Sequence, residues 1–165
     1  MLKIIVTGSE GRFGKVLQNL NDKRFIFKNK QQLNILSKRS ISKNLRKYKP
    51  NCILHLAGLS RPMKIHEKNI SKSITTNIIG TSNLVNICSQ SNIKLIYFST
   101  NYVYPGTKGN YSENDPVLPI NNYAISKLGG ECAVQMYKNS LILRICMTEK
   151  PFIHKKAFND VEMNF

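Results

Sequence analysis

Residues 3–17, Lys3-Ile4-Ile5-Val6-Thr7-Gly8-Ser9-Glu10-Gly11-Arg12-Phe13-Gly14-Lys15-Val16-Leu17, decide the reading of the fold. The apolar run over residues 2–7, interrupted only by Lys3, reads as a buried strand, and Phe13, Val16, Leu17 and Leu20 recur at helical i, i+3, i+4, i+7 spacing. Between them Gly8, Gly11 and Gly14 stand where the chain must turn sharply into a helix N-terminus. Glycine is wanted there for physical reasons. A backbone without Cβ atoms can approach a pyrophosphate closely, its N–H groups and the positive end of the helix dipole face the anion, and the helix packs tightly on the strand. A glycine triplet alone is weak evidence, but a strand before it and a helix after it supply the context that the cradle of a nicotinamide dinucleotide requires.

The rest of the chain alternates in the same way. Residues 24–28 read as a second short strand, Ile41, Leu45 and Tyr48 mark one face of a helix that Pro50 ends, and residues 52–57 form a continuous apolar run suited to burial on both faces of a parallel sheet. A long helix is predicted over residues 67–91, with Ile74, Ile78, Thr81, Val85 and Cys88 on its inward face. A strand over residues 94–99, a loop rich in Gly, Pro, Asn and Asp over 101–121, a helix lined by Leu128, Cys132 and Met136, and a strand over 141–146 complete the pattern. Such alternation implies βαβ crossovers. The fold class expected is α/β, a Rossmann-type doubly wound, mainly parallel sheet of about six strands in the order 3-2-1-4-5-6, with helices on both faces. Residues 1–146 make up the expected dinucleotide-binding domain. Residues 147–165 show no periodicity and read as a short tail where a substrate-binding domain would begin, that domain being absent.

Composition narrows the class. A chain of 165 residues, 41% hydrophobic, can bury one core without disulfides or a structural metal. Cys52, Cys88, Cys132 and Cys146 lie far apart among apolar neighbours with no C-x-x-C pair, and read as buried free thiols of a reducing compartment. No apolar run is long enough to cross a bilayer, and Met1-Leu2-Lys3 leads straight into the first strand without room for a secretion signal, so a cytoplasmic location is expected. The excess of 25 Lys+Arg over 9 Asp+Glu, a net charge of +16, raises nucleic acid as a partner, but the cations are scattered through every segment and argue for compositional drift instead. His55, His66 and His154 lack ligand-spaced partners, so they read as structural or surface groups and no metal is expected.

Two further patterns bear on chemistry. In NAD-binding sheets of this kind an acidic residue about 20 residues beyond the glycines accepts the ribose hydroxyls. No carboxylate stands between Asp22 and Glu67, and Lys28 and Lys30 flank Asn29 at the end of strand two instead. Cations there suit a 2′-phosphate, so NADP is expected to be preferred, with NAD as the lesser cofactor. Tyr123 and Lys127, four apart at the start of the last helix, share one face. A phenol titrating near about 10 is a poor acid–base group at neutrality, and an ammonium beside it is expected to pull its pKa down. Thr100 ends the preceding strand, at the carboxyl edge where doubly wound sheets bind ligands, so its hydroxyl can join the pair.

Together these motifs resemble the extended short-chain dehydrogenases/reductases over residues 1–146. Residues 7–14 are similar to that family's T-G-x-x-G-x-x-G loop, His55-Leu56-Ala57-Gly58 to its H-x-A-A strand end, and Asn77-Ile78-Ile79-Gly80-Thr81-Ser82-Asn83-Leu84 to its N-x-x-G-T-x-N-L helix. Ser99-Thr100-Asn101-Tyr102-Val103-Tyr104 resembles the S-T-D-Y-V-F segment of dTDP-4-dehydrorhamnose reductases. The resemblance implies reduction of the 4-keto group of a nucleotide sugar by hydride from NADP or NAD in reduced form. It implies Tyr123 as general acid, Lys127 on the nicotinamide ribose and Thr100 on the keto oxygen. Gly8, Gly11, Arg12, Phe13 and Gly14 would meet the pyrophosphate, Lys28 the adenosine ribose, Leu56, Ala57 and Gly58 the adenosine side, and Asn77 would position the site. Asn101 and Met147 would face the sugar, where the reductases carry Asp and Trp. Asn101-Tyr102 in place of the Asp-Glu of 4,6-dehydratases argues against dehydration and leaves reduction, or C4 epimerisation as the alternative. Members of the family are longer than this chain, which implies a third reading, a truncated, non-catalytic NADP-binding or regulatory subunit, working as a homo-oligomer or with a partner chain.

Overall fold

Short, mainly apolar runs such as IIVT and CILH are buried nearly throughout, and they form the centre of a parallel sheet in the computed structural model, which describes residues 2–146. The elements follow in the order β1 (Ile4–Thr7), α1 (Arg12–Gln18), β2 (Phe25–Lys28), α2 (Lys38–Tyr48), β3 (Cys52–His55), α3 (Ile65–Lys68) and α4 (Ile70–Ser73). A π-helical turn (Ile74–Ile79) leads into α5 (Gly80–Ser91), then β4 (Lys94–Thr100), a 3₁₀ turn (Asn101–Val103), α6 (Asn122–Gln135) and β5 (Ser140–Ile145). The strands pair in the order β2-β1-β3-β4-β5, each pair parallel.

The Rossmann-type parallel class is as expected, while the strand count and order differ in detail: the described sheet has five strands in place of the 3-2-1-4-5-6 arrangement. The chain after β2 explains this. Residues 29–37 fold back on themselves, with Asn29 and Gln32 bonded to each other twice, Asn34 bonded to Leu36 N–H and Leu33 and Ile35 turned into the core, so nothing there extends the sheet beyond β2. The reversal of strand order therefore falls between β1 and β3, and ligands of doubly wound sheets bind at such a switch point.

Ile5, Ile53, Leu95 and Tyr97 form the core with Ile41 and Leu45 of α2, Leu84, Ile87 and Cys88 of α5, and Val134 of α6. Phe98, one residue on from Tyr97, points to the opposite face and meets Phe13 of α1 with ring centroids 4.8 Å apart. Helix ends are set by local chemistry. Ser37 and Asn121 cap α2 and α6 by accepting from Ser40 and Ala124 N–H, and α2 and α5 end on Lys49 and Asn92 in the left-handed conformation.

Several helix faces run opposite to the expectation from apolar spacing. Val16 and Leu20, expected inward, are 57% and 63% exposed, because α1 is short and rests on the sheet through Gly14 and Phe13. On α6, Met136 is 86% exposed and Cys132 is exposed, while Ala124, Ser126, Lys127, Gly130, Glu131 and Val134 face the sheet. Cys52 and Cys88 are buried thiols as expected; Cys132 and Cys146 are exposed and correct that reading. The predicted helix over 67–91 is broken at Asn69 and re-phased by the π turn, which leaves Ile74 exposed and turns Asn77 inward.

The polar exception inside α6 has a partner. Glu131, fully buried, binds the Arg144 guanidinium of β5 at 2.9 Å, and Arg144 Nη1 donates to Tyr104 Oη at 2.8 Å, tying helix, edge strand and loop together. Removing one member leaves a buried charge without its partner. Arg144→Leu is expected to lower unfolding free energy by about 3 kcal/mol in urea denaturation, and the Glu131→Leu/Arg144→Leu double variant to recover most of it. Equal losses in the single and double variants would show that the pair does not carry this stability.

Candidate functional site

The site begins where β1 and β3 end side by side. Thr7 pairs with His55, so Gly8 and Leu56-Ala57-Gly58 leave the sheet as neighbours. Gly8 has φ +67°, and a Cβ there would stand 2.6 Å from the N and Cα of Ala57, so both conformation and space demand glycine. Gly14 packs as tightly against Ser9. Gly11 caps α1 without a side-chain acceptor, and a Cβ there would meet only Gly8 O, at 3.2 Å. Gly11 thus places no side-chain acceptor on the first turn of α1, an arrangement that fits a pyrophosphate at the helix start. Arg12 is exposed at this turn, and Phe13 lends its ring to packing on Phe98 and its backbone to the helix start.

Lys28 ends β2 beside Thr7, where its Nζ donates to Tyr48 Oη at 2.8 Å and lies 4.2 Å from that ring's centroid. The nearby carboxylate is not sequence-adjacent: Glu10 of the glycine loop accepts from Asn29 Nδ2 at 3.0 Å. Spacing along the chain could not reveal it, because nineteen residues separate the two partners.

Asn77 holds the opposite wall. Its Oδ1 accepts from Leu59 N–H at 2.7 Å, and its Nδ2 donates to Leu59 O at 2.9 Å and Ser126 Oγ at 2.8 Å. Ser126 Oγ in turn donates to Tyr123 O at 2.7 Å. The π turn thereby fastens the segment after β3 to the first turn of α6, and Asn77 is a positioning group. Lys127, one turn further along α6, is buried with Nζ 4.1 Å from the Tyr97 ring centroid, and a Cβ on Gly58 would lie 3.9 Å from it.

Tyr123 packs between His66, at a ring-centroid distance of 5.1 Å, and Tyr102, edge-on at 6.2 Å, with the Thr100 hydroxyl near enough to act on its pKa. Thr100, Tyr123 and the Gly58 segment with Lys127 thus gather at the carboxyl edge of the sheet. Asn101 lies in the 3₁₀ turn directly after Thr100, and Met147 falls outside the described residues. His66, read as structural or surface, is fully buried; its Nδ1 is 2.6 Å from Ser73 Oγ, while Nε2 has no hydrogen-bond partner among the described residues.

The electrostatics correct one expectation. Burial raises the Tyr123 pKa above its usual value, opposed by the Thr100 hydroxyl and the charge of Arg61, with Lys127 not among the groups that move it. Lys127 itself is pulled down to about 7 by desolvation, partly offset by Glu131. The phenol therefore keeps its proton at neutrality, and the ammonium is only marginally held. Glu131 was missed, although Tyr123, Lys127 and Glu131 repeat at four-residue intervals on one face. Among the described residues no group of His, Cys, Asp and Glu could hold a metal, and no helix is long and apolar enough to cross a membrane.

A parallel doubly wound sheet with a glycine cradle at its switch point and a Thr-Tyr-Lys cluster at its carboxyl edge defines a domain of the extended short-chain dehydrogenase/reductase type. The chain belongs to the RmlD substrate binding domain family, which matches residues 2–148. It is 28% identical over 154 residues to dTDP-4-dehydrorhamnose reductase of Aggregatibacter actinomycetemcomitans, covering 90% of this chain and 52% of the relative. It is 32% identical over 114 residues to methionine adenosyltransferase 2 subunit beta of Xenopus laevis, covering 68% of this chain and 34% of that protein. A dTDP-4-dehydrorhamnose reductase structure from Bacillus anthracis in complex with NADP superposes with TM-score 0.79 at 27% identity, over 87% of this chain and 53% of that one. The chain thus spans about half or less of the relatives it matches.

The Lys127 shift carries a measurable sign. Its folded value, about 7, lies below its unfolded value, so the unfolded chain holds the extra proton between these pH values. Stability from this group is absent at pH 7 and gained as pH rises toward 10, at up to about 1.4 kcal/mol per pH unit. Urea denaturation from pH 7 to 10 is expected to show this slope in the parent and a flatter one in Lys127→Met; identical slopes would contradict a desolvated Lys127.

Proposed function

We propose that the chain binds NADP or NAD across the switch point and forms the reductase half of a nucleotide-sugar oxidoreductase that reduces a 4-keto group. The observation that carries this reading is the convergence of Thr100, at the end of β4, with Tyr123 and buried Lys127, one turn apart on α6, at the carboxyl edge of the sheet. A dihydronicotinamide bound there would supply hydride to the keto carbon. Tyr123, held protonated by burial, donates its proton to the oxygen as it gains charge, and Thr100 holds the same oxygen through its hydroxyl. Lys127, beside Gly58, would hold the nicotinamide ribose, whose hydroxyls would offer its marginal ammonium an acceptor. Gly8, Gly11, Arg12, Phe13 and Gly14 receive the pyrophosphate, and Leu56, Ala57 and Gly58 line the adenosine side. Asn101 and Met147 are assigned to the sugar.

A second reading has its own support. The match to a protein named as a subunit of methionine adenosyltransferase favours a dinucleotide-binding regulatory chain that does not turn over sugar. Activity separates the two. With a panel of 4-keto nucleotide sugars, NADPH oxidation followed by absorbance is expected from the reductase, lowered by about a hundredfold or more in Tyr123→Phe. Turnover that survives Tyr123→Phe would defeat the mechanism, and tight cofactor binding with no turnover on any sugar would favour the regulatory reading.

Lys28 at the end of β2, with no carboxylate between it and Glu67, favours NADP, while Glu10 beside Asn29 opposes a 2′-phosphate. Fluorescence titration is expected to give tighter binding of NADPH than NADH, with Glu10→Gln widening the gap by a few-fold. Tighter NADH binding in the parent would overturn the preference.

A further inference from the structure

A chain of buried side-chain hydrogen bonds crosses the sheet beneath the glycine loop. Thr7 Oγ1 lies 3.0 Å from His55 Nδ1, and His55 Nε2 lies 3.1 Å from Thr81 Oγ1. The two ends have further partners: Ala57 N–H donates to Thr7 Oγ1 at 3.2 Å, and Thr81 Oγ1 stands 2.7 Å from Asn77 O. All three side chains are buried.

Proton counting fixes the direction of every bond. A carbonyl has no proton, so the contact between Thr81 and Asn77 O requires the threonine hydroxyl to donate. That hydroxyl has one proton, so toward His55 it can only accept, and His55 Nε2 must carry hydrogen. In the neutral ring Nδ1 is then a lone pair, which Thr7 satisfies by donating. Thr7 Oγ1 keeps a lone pair for Ala57 N–H. Every donor and acceptor is used once. A second ring proton would sit at Nδ1, facing a hydroxyl that already accepts from Ala57 and whose own proton would lose its acceptor.

We infer that His55 is a positioning residue, a neutral Nε2–H imidazole whose one-way relay holds the two walls of the cofactor cradle in register. One end fixes Thr7 and Ala57, the backbone that Gly8 approaches, and the other fixes the carbonyl of Asn77, whose side chain clamps Leu59 and α6. The inference rests on the cofactor reading only for what the cradle holds. The remaining groups facing the ring, the Tyr97 phenol at a centroid distance of 5.4 Å and the Lys127 charge, offer imidazolium no counter-charge, and burial pulls His55 down to about 3.

The direct test is long-range ¹⁵N–¹H correlation NMR of the ring on the full chain. A single Nε2–H tautomer, unchanged from pH 8 to 5, is expected. An Nδ1–H tautomer, a mixture, or a titration in that range would overturn the relay. Gln offers the same pair of groups, one acceptor and one donor, whereas Leu offers neither. NADPH affinity is therefore expected to stay within a few-fold of the parent in His55→Gln and to fall roughly tenfold in His55→Leu. Equal loss in both would mean that only volume matters. Should His55→Leu not fold, Thr81→Val and Thr81→Ser serve instead: Val is expected to speed amide exchange at Ala57 and Leu59 and Ser to restore it, and no difference between them would sink the inference. A parent that shows the predicted tautomer and exchange yet binds no NADPH would count against the cofactor reading alone.

Discussion

The site depends on how closely two backbones pass each other at the ends of β1 and β3. Gly8, in a left-handed conformation, lies so near Ala57 that any side chain would overlap it. That approach is possible because β1 and β3 pair directly, Thr7 opposite His55, with the strand order reversing between them. From this junction the glycine loop runs to α1 on one side, and the segment after β3 runs on the other to Leu59, where Asn77 grips it. Asn77 also reaches Ser126, which sets the first turn of α6 and with it Tyr123 and Lys127. Cradle and chemical groups are therefore one connected construction.

Burial sets the electrostatic character of that construction. In a chain with net charge +16, the site contains a lysine deprived of water and a tyrosine deprived of water, and both are pushed toward their neutral forms. The buried carboxylate nearest them, Glu131, is engaged by Arg144, so it offsets the desolvation of Lys127 only in part. The resulting phenol carries its proton, the state that reduction of a carbonyl calls for.

Much of this was legible in the sequence because it is local. The glycine loop, the alternation of strands and helices, and the Thr100, Tyr123 and Lys127 cluster all follow from short spacings and from the carboxyl-edge rule. What was not legible depends on partners far along the chain. Apolar spacing located a stripe on α6, Leu128, Cys132 and Met136, but the face that packs on the sheet holds Lys127 and Glu131, and Glu131 can be buried only because Arg144 answers it from β5. The π turn shifts the phase of the preceding helix by enough to expose Ile74 and bury Asn77, a change no helical period anticipates. Glu10 beside Asn29, and the order of bonds around His55, likewise arise from contacts between segments far apart along the chain.

The central claim is that residues 8–14 and 56–59 form one dinucleotide cradle. Hydrogen–deuterium exchange of the chain with and without saturating NADPH tests it most directly, residue by residue. The account predicts new protection concentrated at the amides of Gly11, Arg12 and Phe13 and at Ala57 and Gly58, with little change in α2 or the 104–118 loop. Protection absent from both segments, or confined to a surface elsewhere, would contradict it.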